Sequence, residues 1–294
     1  MSSLLPYLIN GISLGLSISL VALALALIWR TVGMIDFGLG AVYLLAAYAA
    51  LMAKTWFGLP YVAFMAIGLV AGPIAAVAIY GGVYRTFIRR DAALFVLVLV
   101  SLCVHIATQH GLAALLSAQK FYLLDDIIPG WEIGGTRLNA VQVAKMFLSL
   151  AILAGLSLFF LKTSTGQAIM AVADNKRLAQ CMGIDVNRCY RIIYAIAGFI
   201  VAVAALPEVT ESGVDPYVAT TPLFLGLAAI IVGGLSAFQY PVLGAVLLGL
   251  CFHLAVWAFS SQWQDIVAYT FVILVLLARP QGLFGGMRLV RERP

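Results

Sequence analysis

Charged residues are scarce in this sequence. Asp, Glu, Lys and Arg make up 10% of its 294 residues, whereas 64% are hydrophobic. A soluble domain carries about 25% charged residues, so the composition excludes a soluble globular chain. Apolar runs of about 20 residues, long enough to cross a bilayer as helices, recur along the whole length. We therefore predict an all-α fold, a polytopic transmembrane helix bundle, with residues 1–294 as a single membrane domain.

The usual marks of an ATPase or a metal site are also missing. The phosphate-binding pattern G-x-x-x-x-G-K-[ST] does not occur, which excludes ATP hydrolysis through such a loop in this chain. The four cysteines form no C-x-x-C pair and are expected to be small buried hydrophobes. His105 and His110 lie about 140° apart around a helix and share no metal-binding face. We expect them and His253 to be buried and hydrogen-bonded, with a pore-lining role left open for His105 and His253.

No acidic or basic residue lies at the centre of an apolar segment. Transporters driven by protons or ions usually need charged groups at membrane depth. The sequence therefore favours an energy source that acts from outside the bilayer. It disfavours the alternative, a secondary transporter or channel that works without an ATPase.

One enzyme-like pattern does occur, in the stretch GISLG at residues 11–15. It matches the G-x-S-x-G pattern of hydrolases, with Ser13 as the nucleophile. The stretch lies inside a continuous apolar run, where Gly11 and Gly15 have the spacing that lets two helices approach closely. We expect Ser13 to bond back to a helix carbonyl, and we keep a membrane-embedded hydrolase as an alternative.

Nine apolar segments are predicted to cross the membrane. The seventh is short and rich in glycine, so we expect a bundle of about 8–9 spans. The segments are residues 4–28, 37–57, 60–83, 92–117, 141–161, 190–210, 221–236, 241–260 and 264–279.

Positive charge is unevenly distributed between the loops on the two sides of this arrangement. One set of alternating loops holds thirteen of the 17 Lys and Arg residues, and the other set holds four. The positive-inside rule places the first set in the cytoplasm, the N-terminus outside and the C-terminus inside. The thirteen are Arg30, Arg85, Arg89, Arg90, Lys162, Lys176, Arg177, Arg188, Arg191, Arg279, Arg288, Arg291 and Arg293; the four are Lys54, Lys120, Arg137 and Lys145. The acidic residues of the second set are Asp125, Asp126, Glu132, Glu208, Glu211, Asp215 and Asp265.

The stretch STGQAIMAVADNKRLAQCMGID, residues 164–185, is a cytoplasmic segment by this rule. Ser164 or Thr165 is predicted to cap a first short helix over residues 166–173. Asp174 is predicted to cap a second over residues 175–182, which Gly183 ends.

The second of these helices has an apolar face. Leu178, Cys181 and Met182 share it, and Asp185 is predicted to start the sixth span. A connector that lies on the lipid headgroups is the plain alternative for this segment.

Two stretches rich in glycine or proline predict breaks between helices. They are RTVGMIDFGLG at residues 30–40 and PEVTESGVDPYVATTP at residues 207–222. Each contains a glycine, then an Asp within three residues, then an aromatic residue. The pattern suggests a diverged internal repeat whose halves each start a helix from an Asp cap.

Five stretches of the chain, taken in order, resemble one known family. They are LINGISLGLSISLVALALALIWRTVGMIDFGLGAVYLLAAYAA (8–50), VYRTFIRR (83–90), TGQAIMAVADNKRLAQCMGIDVNRCYRIIYAIAG (165–198), SGVDPYVATTPLFLGLAAIIVGGLSAFQYPVLGAVLLGL (212–250) and VILVLLARPQGLFG (272–285). Together they are similar to the permease subunits of bacterial branched-chain amino acid ABC importers, the H-type inner-membrane subunit in particular.

The resemblance implies a transport subunit of an ATP-driven importer and not an enzyme. Its implied partners are a second homologous permease, two ATP-binding subunits that hold ATP and Mg, a periplasmic or extracellular solute-binding protein and membrane lipid, with no nucleic acid. The implied cargo is branched-chain or other small neutral amino acids, and urea or short amides are the alternative within the family. The loop 162–190 would couple to the ATPases through Thr165, Gly166, Asp174, Lys176, Arg177, Leu178, Ala179, Met182 and Gly183.

One motif departs from the family pattern. Related permeases carry a loop helix of the form E-A-A-x-x-x-G, and here Arg177, Leu178 and Ala179 precede Gly183. A salt bridge from the missing acid is therefore not expected. For the translocation path we predict Asn10, Ser13, Gly33, Asp36, Phe37 and Tyr217, in surroundings without a central fixed charge.

Overall fold

The computed structural model describes residues 4–124, 130–133, 136–235, 237 and 239–284. Helices dominate this part of the chain. They are α1 (Leu4–Val32), α2 (Gly38–Phe57), α3 (Tyr61–Ile79), α4 (Arg85–Arg89), α5 (Leu94–Leu116), α6 (Ala140–Lys162), α7 (Ser164–Asp174), α8 (Lys176–Cys181), α9 (Val186–Ser212), α10 (Thr220–Gly233), α11 (Gln239–Ala258) and α12 (Gln264–Ala278). A π-helical turn, Tyr80–Tyr84, joins α3 to α4 in one continuous helix, and a 3₁₀ turn, Ser261–Trp263, precedes α12.

Eight of the described helical segments are long and apolar enough to cross a membrane. The ninth predicted span corresponds to α10, which has only 14 residues. At 1.5 Å per residue, α10 extends about 21 Å, less than the roughly 30 Å of a bilayer's hydrocarbon core. The predicted helix bundle is confirmed.

The loop between α5 and α6 contains a short hairpin, which leaves the all-α fold class unchanged. Strands β1 (Gly130–Ile133) and β2 (Thr136–Asn139) pair there in antiparallel fashion. The sequence carries Gly134 and Gly135 between the two strands, and a Gly-Gly pair is a hairpin signal. The hairpin was not predicted because the apolar pattern that identifies the flanking spans says nothing about the structure of the polar loop between them.

Contacts between helices show the direction of α11 and the end of the bundle at which α10 finishes. Gly11 of α1 lies against Gly249, and Gly15 lies against Val246, so α11 runs antiparallel to α1. The backbone N–H of Leu283, after α12, donates to the carbonyl of Val232 near the end of α10 (2.8 Å). The described chain therefore starts at one end of the bundle, the N-terminal end, and finishes at the other, the C-terminal end.

The core of the bundle is built on α1, α2 and α9. The most apolar stretch of α1 is 83% buried inside the protein, whereas that of α6 is 11% buried. Small residues on α1, such as Ala22, Ala24 and Ala26, are fully enclosed and let neighbouring helices pack closely. The exposed apolar side chains of α5, α6 and α12 match a surface that faces lipid.

The two predicted helix breaks are confirmed, and they have the same local geometry. Gly33 and Gly213 end α1 and α9 with positive φ angles of 89° and 84°. In each break an Asp side chain then accepts a hydrogen bond from the backbone N–H two residues later. Asp36 accepts the N–H of Gly38, and Asp215 accepts the N–H of Tyr217, both at 2.8 Å. The breaks lie toward opposite ends of the bundle.

The first break reaches into the bundle. The N–H of Phe37 donates to the hydroxyl of Ser101 (3.1 Å), which lies seven residues, about 10 Å, into α5. Phe37 also meets Phe224 of α10, with ring centroids 6.2 Å apart. The first break therefore contacts both α5 and α10.

Candidate functional site

The predicted cytoplasmic segment forms two short helices, α7 and α8, at the C-terminal end of the bundle. Their caps differ by one residue from those predicted. Thr163, and not Ser164 or Thr165, accepts the N–H of Gly166 (3.0 Å), and Asn175, and not Asp174, accepts the N–H of Leu178 (3.0 Å). The predicted caps were wrong because neighbouring Ser, Thr, Asn and Asp residues all have suitable side chains, and packing selects among them.

The end of α8 agrees with the prediction. Gly183 has a φ of 80°, and the N–H of Ile184 donates to the carbonyl of Ala179 (3.0 Å), as in a glycine-terminated helix. Asp185 then accepts the N–H groups of Asn187 and Arg188 at 2.9 and 3.2 Å and caps α9. The turn at Gly183 thus directs the chain from α8 back into the membrane.

Helix α8 presents its large apolar side chains to the surroundings. Leu178 and Met182 are 61% and 76% exposed, whereas Ala179 faces inward at 3%. The ammonium group of Lys176 lies 5.9 Å from the centre of the Tyr190 ring, which ties α8 to α9. The exposed apolar pair, with charged groups around it, has the character of a protein contact surface.

Helix α7 is fixed to the bundle beneath this surface. Ile169 and Val172 are buried, and Gly166 lies so close to the carbonyl of Phe159 that a side chain would not fit. Thr165 is half-buried in the first turn of α7, and Asp174 is exposed at its end. Packed groups of α7 therefore lie between α8 and the rest of the bundle.

The break after α1 holds a buried carboxylate. Asp36 is 1% exposed and accepts the hydroxyl of Tyr84 (2.8 Å) in addition to the Gly38 N–H. The π turn places Tyr84 there, and glycine is required at residue 38 because a Cβ would overlap the Tyr84 hydroxyl. Burial raises the pKa of the Asp36 carboxyl to about 6, because desolvation penalises the charged form.

A cavity of about 380 Å³ lies between α1, α2, α9 and α10. It extends from Lys120, Ser212 and Asp215, toward the N-terminal end, to Val21 and Leu225 in the interior. Its inner walls are apolar, and the part toward the N-terminal end carries the positive charge of Lys120 and the negative charge of Asp215. This volume and mixture are typical of sites for small molecules.

An ion cluster stands beside this cavity. The ammonium group of Lys145 contacts the carboxylates of Glu208 (3.2 Å) and Glu211 (2.8 Å) and is itself 13% exposed. Glu208 also lines the cavity. The sequence places Lys145 and the two acids in loops or at span ends, and in the structure they fold inward against one another. The expectation of a path without a central fixed charge stays a prediction.

The six predicted path residues do not form one group. Tyr217 lines the cavity, while Asn10 accepts a bond from the amide of Gln142 (3.1 Å) and Ser13 is buried nearby on α1. Asp36, Phe37 and the turn at Gly33 lie toward the C-terminal end. The Ser13 hydroxyl has no hydrogen-bond partner within the described residues, so the predicted bond to a helix carbonyl was wrong.

The described part of the chain gives no support to a metal site built on histidine or to a hydrolase site built on Ser13. His105 is buried beside Gly40 and its Nδ1 atom has no partner there, which contradicts the expected hydrogen bond for that atom. No group of three or more His, Cys, Asp or Glu residues able to hold a metal ion occurs among the described residues.

Sequence reasoning missed Tyr43, Lys120 and Glu208 as residues that line the cavity. The sequence gives only a weak indication of this role, because each residue is simply a polar group next to or within an apolar run. Packing of the helices brings the three together. The hydroxyl-bearing Ser17 also lines the cavity.

Comparisons with known proteins agree with this architecture. The family described as "Branched-chain amino acid transport system / permease component" matches residues 7–276. The high-affinity branched-chain amino acid transport system permease protein BraD of Pseudomonas aeruginosa is 28% identical over 295 residues, covering 96% of this chain and 95% of BraD. The corresponding LivH protein of Escherichia coli is 24% identical over 294 residues, with 96% and 95% covered.

A solved structure extends the comparison to the fold. The PsaBC complex of Streptococcus pneumoniae with Fab contains a chain with a TM-score of 0.52 and 14% identity, and the alignment covers 96% of this chain and 93% of that one. At this identity the likeness concerns the fold alone.

A bundle of apolar helices with interrupted spans, an interior cavity and exposed short helices at one end defines a multi-pass membrane permease. The chain belongs to the family of permease components of branched-chain amino acid transport systems. It is thus a transport subunit that acts with partner subunits, and not an enzyme.

Proposed function

We propose that this chain forms the translocation path of an ATP-driven importer for branched-chain or other small neutral amino acids. Urea or short amides are the alternative cargo. The observation that carries the proposal is the cavity, whose apolar walls, with Leu14, Ile18 and Leu225, adjoin the charged groups of Lys120 and Asp215. Such a lining suits a solute with an aliphatic body and a zwitterionic head. The names of BraD and LivH point to the same class.

The proposed assembly contains this chain, a second homologous permease, two ATP-binding subunits and a solute-binding protein outside the membrane. ATP and Mg would be bound by the ATP-binding subunits, and no cofactor is assigned to this chain. Helix α8 is the proposed contact with an ATP-binding subunit, through Leu178 and Met182, with Lys176, Arg177 and Gly183 around or behind them. Membrane lipid would cover the outer faces of α5, α6 and α12.

The proposed orientation places the C-terminal end of the bundle in the cytoplasm. Of the thirteen cations assigned to that side, Arg288, Arg291 and Arg293 lie outside the described residues, and the other ten belong to segments at or near the C-terminal end. On the opposite side, Asp125 and Asp126 lie outside the described residues, as do the side chains of Glu132 and Arg137. The positive-inside rule supports this orientation.

Cysteine labelling provides a test of orientation. In a variant without its four native cysteines, we expect Tyr122→Cys to react with a membrane-impermeant maleimide in intact cells, because Tyr122 is 58% exposed near the N-terminal end. Ser164→Cys, exposed at the start of α7, should react only after the membrane is opened. Labelling of Ser164→Cys in intact cells would contradict both the orientation and the proposed ATPase contact.

Solute uptake by the reconstituted complex tests the cargo. With the solute-binding protein present, we expect leucine or valine to enter proteoliposomes, and a dicarboxylate to enter at less than about one-tenth of that rate, because an unpaired charge in the apolar part costs several kcal/mol. Urea serves as the comparison for the alternative cargo. Uptake that follows an imposed ion gradient without ATP would instead identify a secondary transporter.

A further inference from the structure

Tyr43 is an unusual residue in the wall of the cavity. It lies in the second turn of α2, is 2% exposed, and its hydroxyl has no hydrogen-bond partner within the described part of the protein. A buried hydroxyl without a partner costs about 1–3 kcal/mol. Pairing of this hydroxyl with a bound group would remove that cost.

The surroundings of Tyr43 offer two candidates for the partner of this hydroxyl. A structural partner would come from a neighbouring helix, and the described helices provide none for this hydroxyl. A bound solute is the other candidate, because Tyr43 lines the same cavity as Ser17, Lys120, Glu208 and Asp215. A cavity of about 380 Å³ has room for a small molecule.

We infer that Tyr43 is a solute-binding residue, and that its hydroxyl donates a hydrogen bond to the carboxylate of a small zwitterionic aliphatic amino acid held in the cavity. This inference rests on the proposed function. The ammonium group of the solute would face the carboxylates of Asp215 and Glu208, and its aliphatic part would pack against Leu14 and Ile18. The unpartnered hydroxyl becomes paired when the solute binds.

Tyr48 provides a matched control. It lies on the same helix, is 1% exposed, and its hydroxyl also has no partner in the described residues. Unlike Tyr43, it does not line the cavity. A Tyr→Phe change at either position removes only the oxygen atom, and neither change breaks a hydrogen bond of the described structure.

The experiment compares Tyr43→Phe and Tyr48→Phe in the complete reconstituted transporter with its solute-binding protein. We expect Tyr43→Phe to lower ATP-driven leucine uptake about five- to tenfold, the effect of one lost hydrogen bond. Its melting temperature should not fall. Tyr48→Phe should transport within about twofold of the wild type.

Each other outcome has a separate meaning. If the wild type transports leucine and Tyr43→Phe transports it equally well, Tyr43 does not bind the solute, although the proposed function stands. Equal losses in both variants, or a lower melting temperature of Tyr43→Phe, would assign the hydroxyl a structural role and overturn the inference. If the wild type transports no amino acid, the proposed function fails, and the inferred ligand fails with it.

Discussion

Replacing both Leu178 and Met182 with aspartate is expected to lower ATP-driven uptake more than thirtyfold. Leu178, on α8, and Met182, the residue that follows α8, are 61% and 76% exposed. If they are the anchors of an interface, each is worth about 2 kcal/mol or more, and a charge placed in the contact has no partner. Uptake and ATP hydrolysis are measured in proteoliposomes, together with the amount of ATP-binding subunit that co-purifies.

The control for this prediction is Gln180→Asp, which adds one negative charge, where the double variant adds two, at an exposed position of the same helix. It should retain uptake within about twofold if Gln180 lies at the margin of the contact. The double variant should still insert in the membrane, because its changed side chains make no core contacts. Normal uptake by the double variant would remove α8 from the ATPase contact.

Replacing Gly15 with valine is expected to prevent recovery of a folded, monodisperse protein. The Cβ of any residue here would lie 2.7 Å from the Cα of Val246, and it would collide with backbone that no side-chain rotation can move. Overpacking of this kind costs about 3 kcal/mol, and α1 is the central helix of the bundle. The measurement is the yield of monodisperse protein and its melting temperature in detergent.

Gly155→Val is the matched control, because nothing lies within 4 Å of a Cβ at Gly155 in the outer helix α6. This variant should fold with a melting temperature close to that of the wild type. A well-folded Gly15→Val protein would show that α1 and α11 can separate, and the close approach at Gly11 and Gly15 would then not hold the bundle together.

The sequence predicted the spans and their breaks well because both depend on local composition. A run of about 20 apolar residues has few stable arrangements other than a membrane-spanning helix. Gly33 and Gly213 predicted breaks, and Gly183 predicted the end of α8, since glycine adopts a positive φ with little strain. The close approach of α1 to another helix was likewise predicted from the spacing of Gly11 and Gly15.

The caps of α7 and α8 were predicted less accurately. Thr163 and Asn175 compete with adjacent residues of similar chemistry, and the sequence alone cannot rank residues one position apart. The assignment of this segment to an ATPase contact remains a prediction. What the structure adds is the exposure of Leu178 and Met182, which periodicity alone could only suggest.

The sequence by itself determined the class of fold, the positions of the helices and the family. These follow from hydrophobic length, glycine placement and a pattern that extends along the chain. The tertiary structure alone decided which polar groups meet. Lys145 of α6 meets Glu208 and Glu211 of α9, and Tyr84 reaches Asp36 across 48 residues of sequence. The cavity and its unpaired Tyr43 hydroxyl likewise depend on how α1, α2, α9 and α10 pack, because long-range contacts leave no periodic signal in the sequence of any one helix.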